Sequence, residues 1–176
     1  MTFSILTVCT GNVCRSPYIQ YRLAGEAFSR GIDVEVRSAG THAVNGNPYH
    51  EFTLDQLQLR GIDARAGRSS HLGVQQLRSA QLILVASRSH ITHIARLYAP
   101  SLRHTLTLKQ AAYLGSKDPV GAYTGGIQQQ LPPGFESDLA DPIGQPAEAF
   151  ASMANDVDAL MPSVFRFLSA QLPSAT

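Results

Sequence analysis

Cys9 and Arg15 flank the five residues Thr10-Gly11-Asn12-Val13-Cys14, and Ser16-Pro17 follow. A thiol and a guanidinium at that separation suit one task, holding a tetrahedral oxyanion above a nucleophile. Successive backbone N–H groups of a curled loop form a nest for the anion, and a guanidinium offers parallel hydrogen bonds to two of its oxygens. The same positive field favours thiolate over thiol, and the thiolate is the nucleophilic form. Cysteine, five residues, arginine is by itself a pattern that chance supplies often. The plain alternative is a small buried hydrophobe at the end of a strand.

Such a loop needs a strand to enter from and a helix to leave by. Residues 3–8 form a short apolar run with β-branched members, read as a buried strand. Ser16-Pro17 supplies a helix N-cap and a proline at the first helical position, and Tyr18, Ile19, Leu23, Ala24, Ala27 and Phe28 follow at helical spacing. The helix N-terminus then adds its dipole to the anion site. Residues 34–38 read as a second strand, 40–48 as turns, and 50–60 as a helix with Phe52, Leu54, Leu57 and Leu59 on one side, stopped by Gly61. Residues 82–86 are the most hydrophobic run and the best buried strand, 91–98 the next helix, and Leu106-Thr107-Leu108 an edge strand. Strands alternating with helices imply a parallel α/β sheet. Residues 117–139 are rich in Gly, Pro and Gln without a period, as in a functional or mobile loop. Ala147, Phe150, Met153, Val157, Leu160, Met161, Val164, Phe165 and Leu168 make a long amphipathic stripe, while 173–176 are expected to fray.

With 176 residues, 44% of them hydrophobic and 15% charged, the chain fits one packed domain. Fourteen basic against 13 acidic residues, scattered, leave a net charge of +1, which excludes electrostatic capture of nucleic acid or of an anionic membrane. The first residues have no basic region and too short an apolar run for a signal peptide, so a cytoplasmic protein is expected. Two cysteines rule out a disulfide framework and a four-thiolate zinc site, and the six histidines have no metal-site company. Neither metal nor cofactor is expected.

The string Cys9-Thr10-Gly11-Asn12-Val13-Cys14-Arg15-Ser16-Pro17 resembles the phosphate-binding loop of the low-molecular-weight protein tyrosine phosphatases. The resemblance extends to Ser38-Ala39-Gly40-Thr41, Gly46-Asn47-Pro48, Arg60-Gly61-Ile62-Asp63, the 82–85 strand and Asp141-Pro142, covering nearly the whole chain apart from the segment before Asp141. It implies a four-stranded parallel sheet with helices on both faces, in one domain over 1–172. It implies that Cys9 takes the phosphoryl group and that Asp141 protonates the leaving alcohol and then acts as base. Arg15 and the loop residues Thr10, Gly11, Asn12, Val13, Cys14 and Ser16 bind the phosphate, and no cofactor takes part. Ser16 is expected to hydrogen-bond the thiolate, Asn12 and Ser38 to brace the loop, and Cys14 to capture an oxidised Cys9. The implied partner is a tyrosine-phosphorylated protein; oligomeric state stays open.

Two Asp-Pro pairs compete for the acid, Asp118-Pro119 and Asp141-Pro142. Asp141 is favoured because Ile143-Gly144-Gln145 and the C-terminal helix follow it, as in the family. The chain also departs from the pattern. Ala43, Val44 and Ile143 stand where ring walls are common, with Tyr49 or Tyr123 as substitutes, and Gly67 stands where a supporting histidine is frequent, with His71 four residues on. Gln20 and Ser87 replace a frequent glutamate and aspartate. Arginine phosphate stays open as a substrate, and the rival functions are arsenate reduction completed by an external thiol and a silent phosphoprotein-binding module.

Overall fold

The computed structural model describes residues 2–117 and 131–172. Asp118, Tyr123 and the 173–176 tail lie outside them. The chain runs β1 (Phe3–Cys9), α1 (Arg15–Ser29), β2 (Val34–Gly40), α2 (Glu51–Gln58), α3 (Val74–Ser79), β3 (Leu82–Val85), α4 (Arg88–Tyr98), a 3₁₀ turn (Ala99–His104), β4 (Thr105–Thr107), α5 (Leu108–Gly115) and α6 (Ala147–Gln171). All four strands are parallel in the order β2-β1-β3-β4, with Cys9 level with Gly40 at the carboxyl end.

Both faces of the sheet are covered, which is why its strands read as continuous apolar runs. Ile5, Leu82, Leu84 and Leu106 join one core with Leu23 of α1, Leu57 of α2, Ala111 of α5 and Phe165 of α6. Leu6, Val8, Ile83 and Val85 point the other way, to Leu77 of α3 and Ile94 of α4. The four-stranded sheet with helices on both faces is therefore as expected.

Several boundaries differ. The fourth strand stops at Thr107 because that residue caps α5: its hydroxyl accepts the Gln110 N–H at 3.1 Å, and the Gln110 side chain accepts the Thr107 N–H at 2.8 Å. Sequence reading overlooked α3 and α5. In α1, Ile19, Leu23 and Ala27 are buried, but Phe28 is 89% exposed, since one further residue turns about 100° off the buried stripe. The long C-terminal stripe is α6, which buries Phe150, Met153, Val157, Met161, Val164, Phe165 and Leu168.

Asp158 anchors α6 to the rest. It accepts hydrogen bonds from the Tyr18 hydroxyl at 3.0 and 3.1 Å, from Arg22 Nε at 2.7 Å and from Arg60 Nε at 2.5 Å. Burial alone would raise the Asp158 carboxyl, but the hydrogen bonds from Arg22 and Arg60 outweigh it and hold it below its ordinary value. The tie is therefore intact at neutral pH and weakens as falling pH protonates Asp158.

Candidate active site

Residues 10–14 curl between β1 and α1, with Cys14 at the N-cap position. The helix thus begins two residues before the expected Ser16 cap. Tyr18 N–H makes the first helical bond, to Cys14 O at 3.2 Å, so the amides of Arg15 and Ser16 precede the helical ladder and belong to the loop. Ser16 is free of capping because its hydroxyl turns back into the loop, 3.0 Å from Cys9 Sγ and 3.3 Å from the Ala39 carbonyl oxygen. The Asn12 N–H also donates to Cys9 Sγ, at 3.3 Å.

Asn12 adopts φ 53°, a left-handed conformation that asparagine tolerates better than most residues. Its buried side chain fixes it there. Nδ2 donates to Ser16 Oγ at 2.9 Å and to Ser38 Oγ at 2.8 Å, and Oδ1 accepts the Ser70 N–H at 2.7 Å. The expected brace of Asn12 and Ser38 thus acquires a third member, supplied by main chain. The end of β2 supports the loop from below: Thr41 N–H donates to Cys9 O at 3.0 Å and His42 N–H to Thr10 O at 2.9 Å. Gly40 allows that approach, since a Cβ there would lie 2.5 Å from Thr10 O and 2.8 Å from Asn12 N.

Tyr49 is not a substrate wall. It is 6% exposed, and burial pushes its hydroxyl up while a hydrogen bond with Ser38 opposes the shift. Its ring occupies the space beside Gly67, where an added Cβ would stand 2.2 Å from it. The glycine in place of a histidine therefore makes room for a tyrosine that reaches the same brace from another direction.

Arg15, 5% exposed, carries the loop's guanidinium. Nη2 pairs with Asp141 Oδ2 and lies 3.4 Å from Thr10 Oγ1, Nη1 donates to Leu139 O at 3.4 Å, and buried Nε has no partner among the described residues. Asp141 is brought here by a docked segment: Leu139 N–H donates to Ala86 O at 2.8 Å, just past β3, and Arg88 N–H to Asp138 at 2.8 Å. Its side chain is 43% exposed at the mouth of the site. A cavity of about 190 Å³ is lined by Cys9, Thr10, Gly11, Val13, Cys14, Arg15, Asp141 and Ile143. Asn12 and Ser16 reach the sulfur from behind and do not line it. Larger hollows of about 360 and 580 Å³ lie against residues 131–137 and at the amino ends of β1 and β3, and neither includes the nucleophile.

Cys14 is buried beside Cys9, and its thiol is pushed up to about 12, chiefly by burial, with Thr53 and Arg15 opposing and Cys9 and Asp141 adding to the shift. His90, one of the six histidines for which no role was expected, is 2% exposed and reaches the loop. Its Nδ1 accepts the Ser87 N–H at 3.1 Å and its Nε2 lies 3.0 Å from Thr10 Oγ1. Burial, and then the charge of Arg15, lower it to about 4. Among the described residues no group of three His, Cys, Asp or Glu side chains is arranged to hold a metal ion, and no helix is long and apolar enough to cross a membrane.

Residues 4–129 match the family profile described as low molecular weight phosphotyrosine protein phosphatase. A protein-arginine-phosphatase of Geobacillus stearothermophilus is 30% identical over 161 residues, 92% of this chain and 93% of that protein. The low molecular weight protein-tyrosine-phosphatase Etp of Escherichia coli (strain K12) is 33% identical over 104 residues, 57% of this chain and 64% of its own. The solved low molecular weight protein tyrosine phosphatase from T. tengcongensis superposes with a TM-score of 0.77 at 27% identity, over 93% of this chain and 98% of the other.

Proposed function

The chain belongs to the low molecular weight phosphotyrosine protein phosphatase family, and on that premise we propose that it hydrolyses phosphotyrosine on proteins through a phosphocysteine at Cys9. The observation that carries the reading is one cavity in which Cys9 Sγ, already receiving the Asn12 N–H and facing the Ser16 hydroxyl, stands with Arg15 and Asp141. The loop amides and the Arg15 guanidinium take the phosphate oxygens, displacing the Asp141 carboxyl from Arg15. The sulfur–phosphorus bond forms as the phosphorus–oxygen bond to tyrosine breaks, and Asp141 gives its proton to the leaving phenoxide. Water then attacks phosphorus, Asp141 takes a proton from it, and the thiolate leaves with phosphate released. Equatorial charge is stabilised throughout by preorganised donors, the main electrostatic contribution in phosphoryl transfer. Residues 1–172 serve as the single catalytic domain, in a cytoplasmic setting where both thiols stay reduced.

Purified protein is expected to hydrolyse an aryl phosphate steadily, with chelator present, and to cleave phosphotyrosyl peptides well ahead of phosphoseryl ones, whose shorter side chain leaves phosphorus far from a deep sulfur. No turnover under reducing conditions would overturn the enzyme reading. A second reading, hydrolysis of arginine phosphate, is favoured by the similarity to a protein-arginine-phosphatase. Val13 on the cavity wall offers no hydroxyl to a guanidinium leaving group. Peptides carrying phosphoarginine, turned over faster than phosphotyrosyl ones, would transfer the assignment.

The buried neighbour Cys14 suits it to guard Cys9. Peroxide converts the Cys9 thiolate to a neutral sulfenic acid, which condenses with the Cys14 thiol to a disulfide and water. Inactivation by peroxide is therefore expected to be reversed by added thiol in the wild type and to be lasting in Cys14→Ser. Equal recovery of the two proteins would remove this role.

A further inference from the structure

The mechanism above leaves Thr10 Oγ1 and His90 unused, yet their hydrogens are fixed by their neighbours. The Ser87 N–H points at His90 Nδ1 from 3.1 Å, and a proton on Nδ1 would collide with it. Nδ1 is therefore an acceptor, toward which the Ser87 hydroxyl, 3.0 Å away, also faces. A neutral imidazole with Nδ1 unprotonated carries its hydrogen on Nε2. That N–H, 3.0 Å from Thr10 Oγ1, donates to it. Arg15 Nη2 donates to the same oxygen at 3.4 Å. A hydroxyl has two lone pairs and one hydrogen. With both lone pairs engaged, Thr10 has only its hydrogen left to offer. Thr10 is exposed and lines the cavity that holds Cys9.

We propose that the Thr10 side chain is an oriented hydroxyl donor to the bound oxyanion, additional to the loop amides and Arg15, and that His90 is the positioning residue that fixes the direction of its hydrogen. The inference deepens the phosphatase reading and rests on it for the identity of the ligand. It also gives the hydroxyl a chemical preference. Having no lone pair free, it pairs with an acceptor such as a phosphate oxygen and offers nothing to an N–H group. Burial and the charge of Arg15 hold His90 down to about 4, so the imidazole is neutral and the arrangement persists at neutral pH.

The test measures inorganic phosphate binding by calorimetry alongside kcat and KM for an aryl phosphate. Thr10→Val keeps the branched shape and loses the hydroxyl; phosphate binding is expected to weaken about 10- to 100-fold, the worth of one hydrogen bond to a charged group, and Thr10→Ser to stay near wild type. His90→Phe is expected to weaken phosphate binding several-fold in the wild-type background and not at all in Thr10→Val, because it acts through the hydroxyl that is missing there. His90→Gln is expected to restore binding, since one amide accepts from Ser87 and donates to Thr10 across a similar span. Thr10→Val binding phosphate like wild type, His90→Phe costing as much in the Thr10→Val background as without it, or wild-type protein failing to bind phosphate would each overturn the proposal. Phosphate binding with the expected pattern in a protein that turns over no phosphomonoester would instead overturn the phosphatase reading and leave this one standing.

Discussion

Cys9→Ser protein is expected to bind inorganic phosphate with close to wild-type affinity and to turn over no aryl phosphate. The serine hydroxyl stays protonated near neutral pH, so it presents no anion to phosphorus, and the Asn12 N–H and Ser16 hydroxyl that face the sulfur have no charge to stabilise. The parts that hold phosphate are untouched: the amides follow from loop shape, and that shape is set by Asn12, Ser38 and Ser70 rather than by the nucleophile. Removing the nucleophile of a covalent mechanism is expected to lower kcat on the order of 10⁵-fold or more. Stopped-assay turnover with matched phosphate titrations checks both halves. Substantial residual activity in Cys9→Ser would mean that the covalent mechanism is wrong.

The second large effect falls on the acid. A phenoxide leaving from tyrosine needs a proton in the transition state, and a positioned acid contributes about 10²–10⁴-fold. Asp141→Asn is expected to lower kcat for phosphotyrosine within roughly that range, and by less for an aryl phosphate whose leaving group is already stable. KM is not expected to rise, since the asparagine removes the negative charge that pairs with Arg15 before substrate arrives. Asp118→Asn is expected to change little. Should the two variants exchange behaviour, the acid would lie on the segment before residue 131 and not in the docked segment that carries Leu139 and Asp141.

What was legible beforehand followed from contiguity and period. The apolar runs at residues 3–8 and 82–86 announced central strands, and the stripe from Phe150 to Leu168 announced α6, because burial on both faces or along one face leaves its mark on residue type. Cys9 and Arg15 were readable from one unbroken string. Short helices were not: α3 has six residues and α5 eight, too few for a period to emerge. Thr107-Leu108-Lys109-Gln110 nevertheless carries a capping-box signature that marks the start of α5. The site's remaining supports were invisible for another reason. The Ser70 amide and Leu139 carbonyl act through main chain, whose donors and acceptors are the same for almost any residue type. His90 on a helix says nothing about direction until the end of β3 aims it at Thr10.

The braces on Asn12 also set an order of assembly. Nucleophile and arginine are near neighbours in the chain, yet the groups that fix the loop between them come from far along it: Asn12 to Ser38 spans 26 positions, Asn12 to Ser70 spans 58, and Arg15 to Leu139 spans 124. Helices such as α1 draw on local contacts and form early, whereas pairings of that separation wait until long loops have closed. During refolding, helical signal therefore returns ahead of the oxyanion nest, and recovery of catalysis is a clock for the closure of the whole chain around β1. A nascent chain that has emerged only as far as β2 holds the nucleophile and its arginine but not the Ser70 brace of the nest, so Cys9 there is an ordinary thiol, and its activation is postponed until the fold that encloses it is complete.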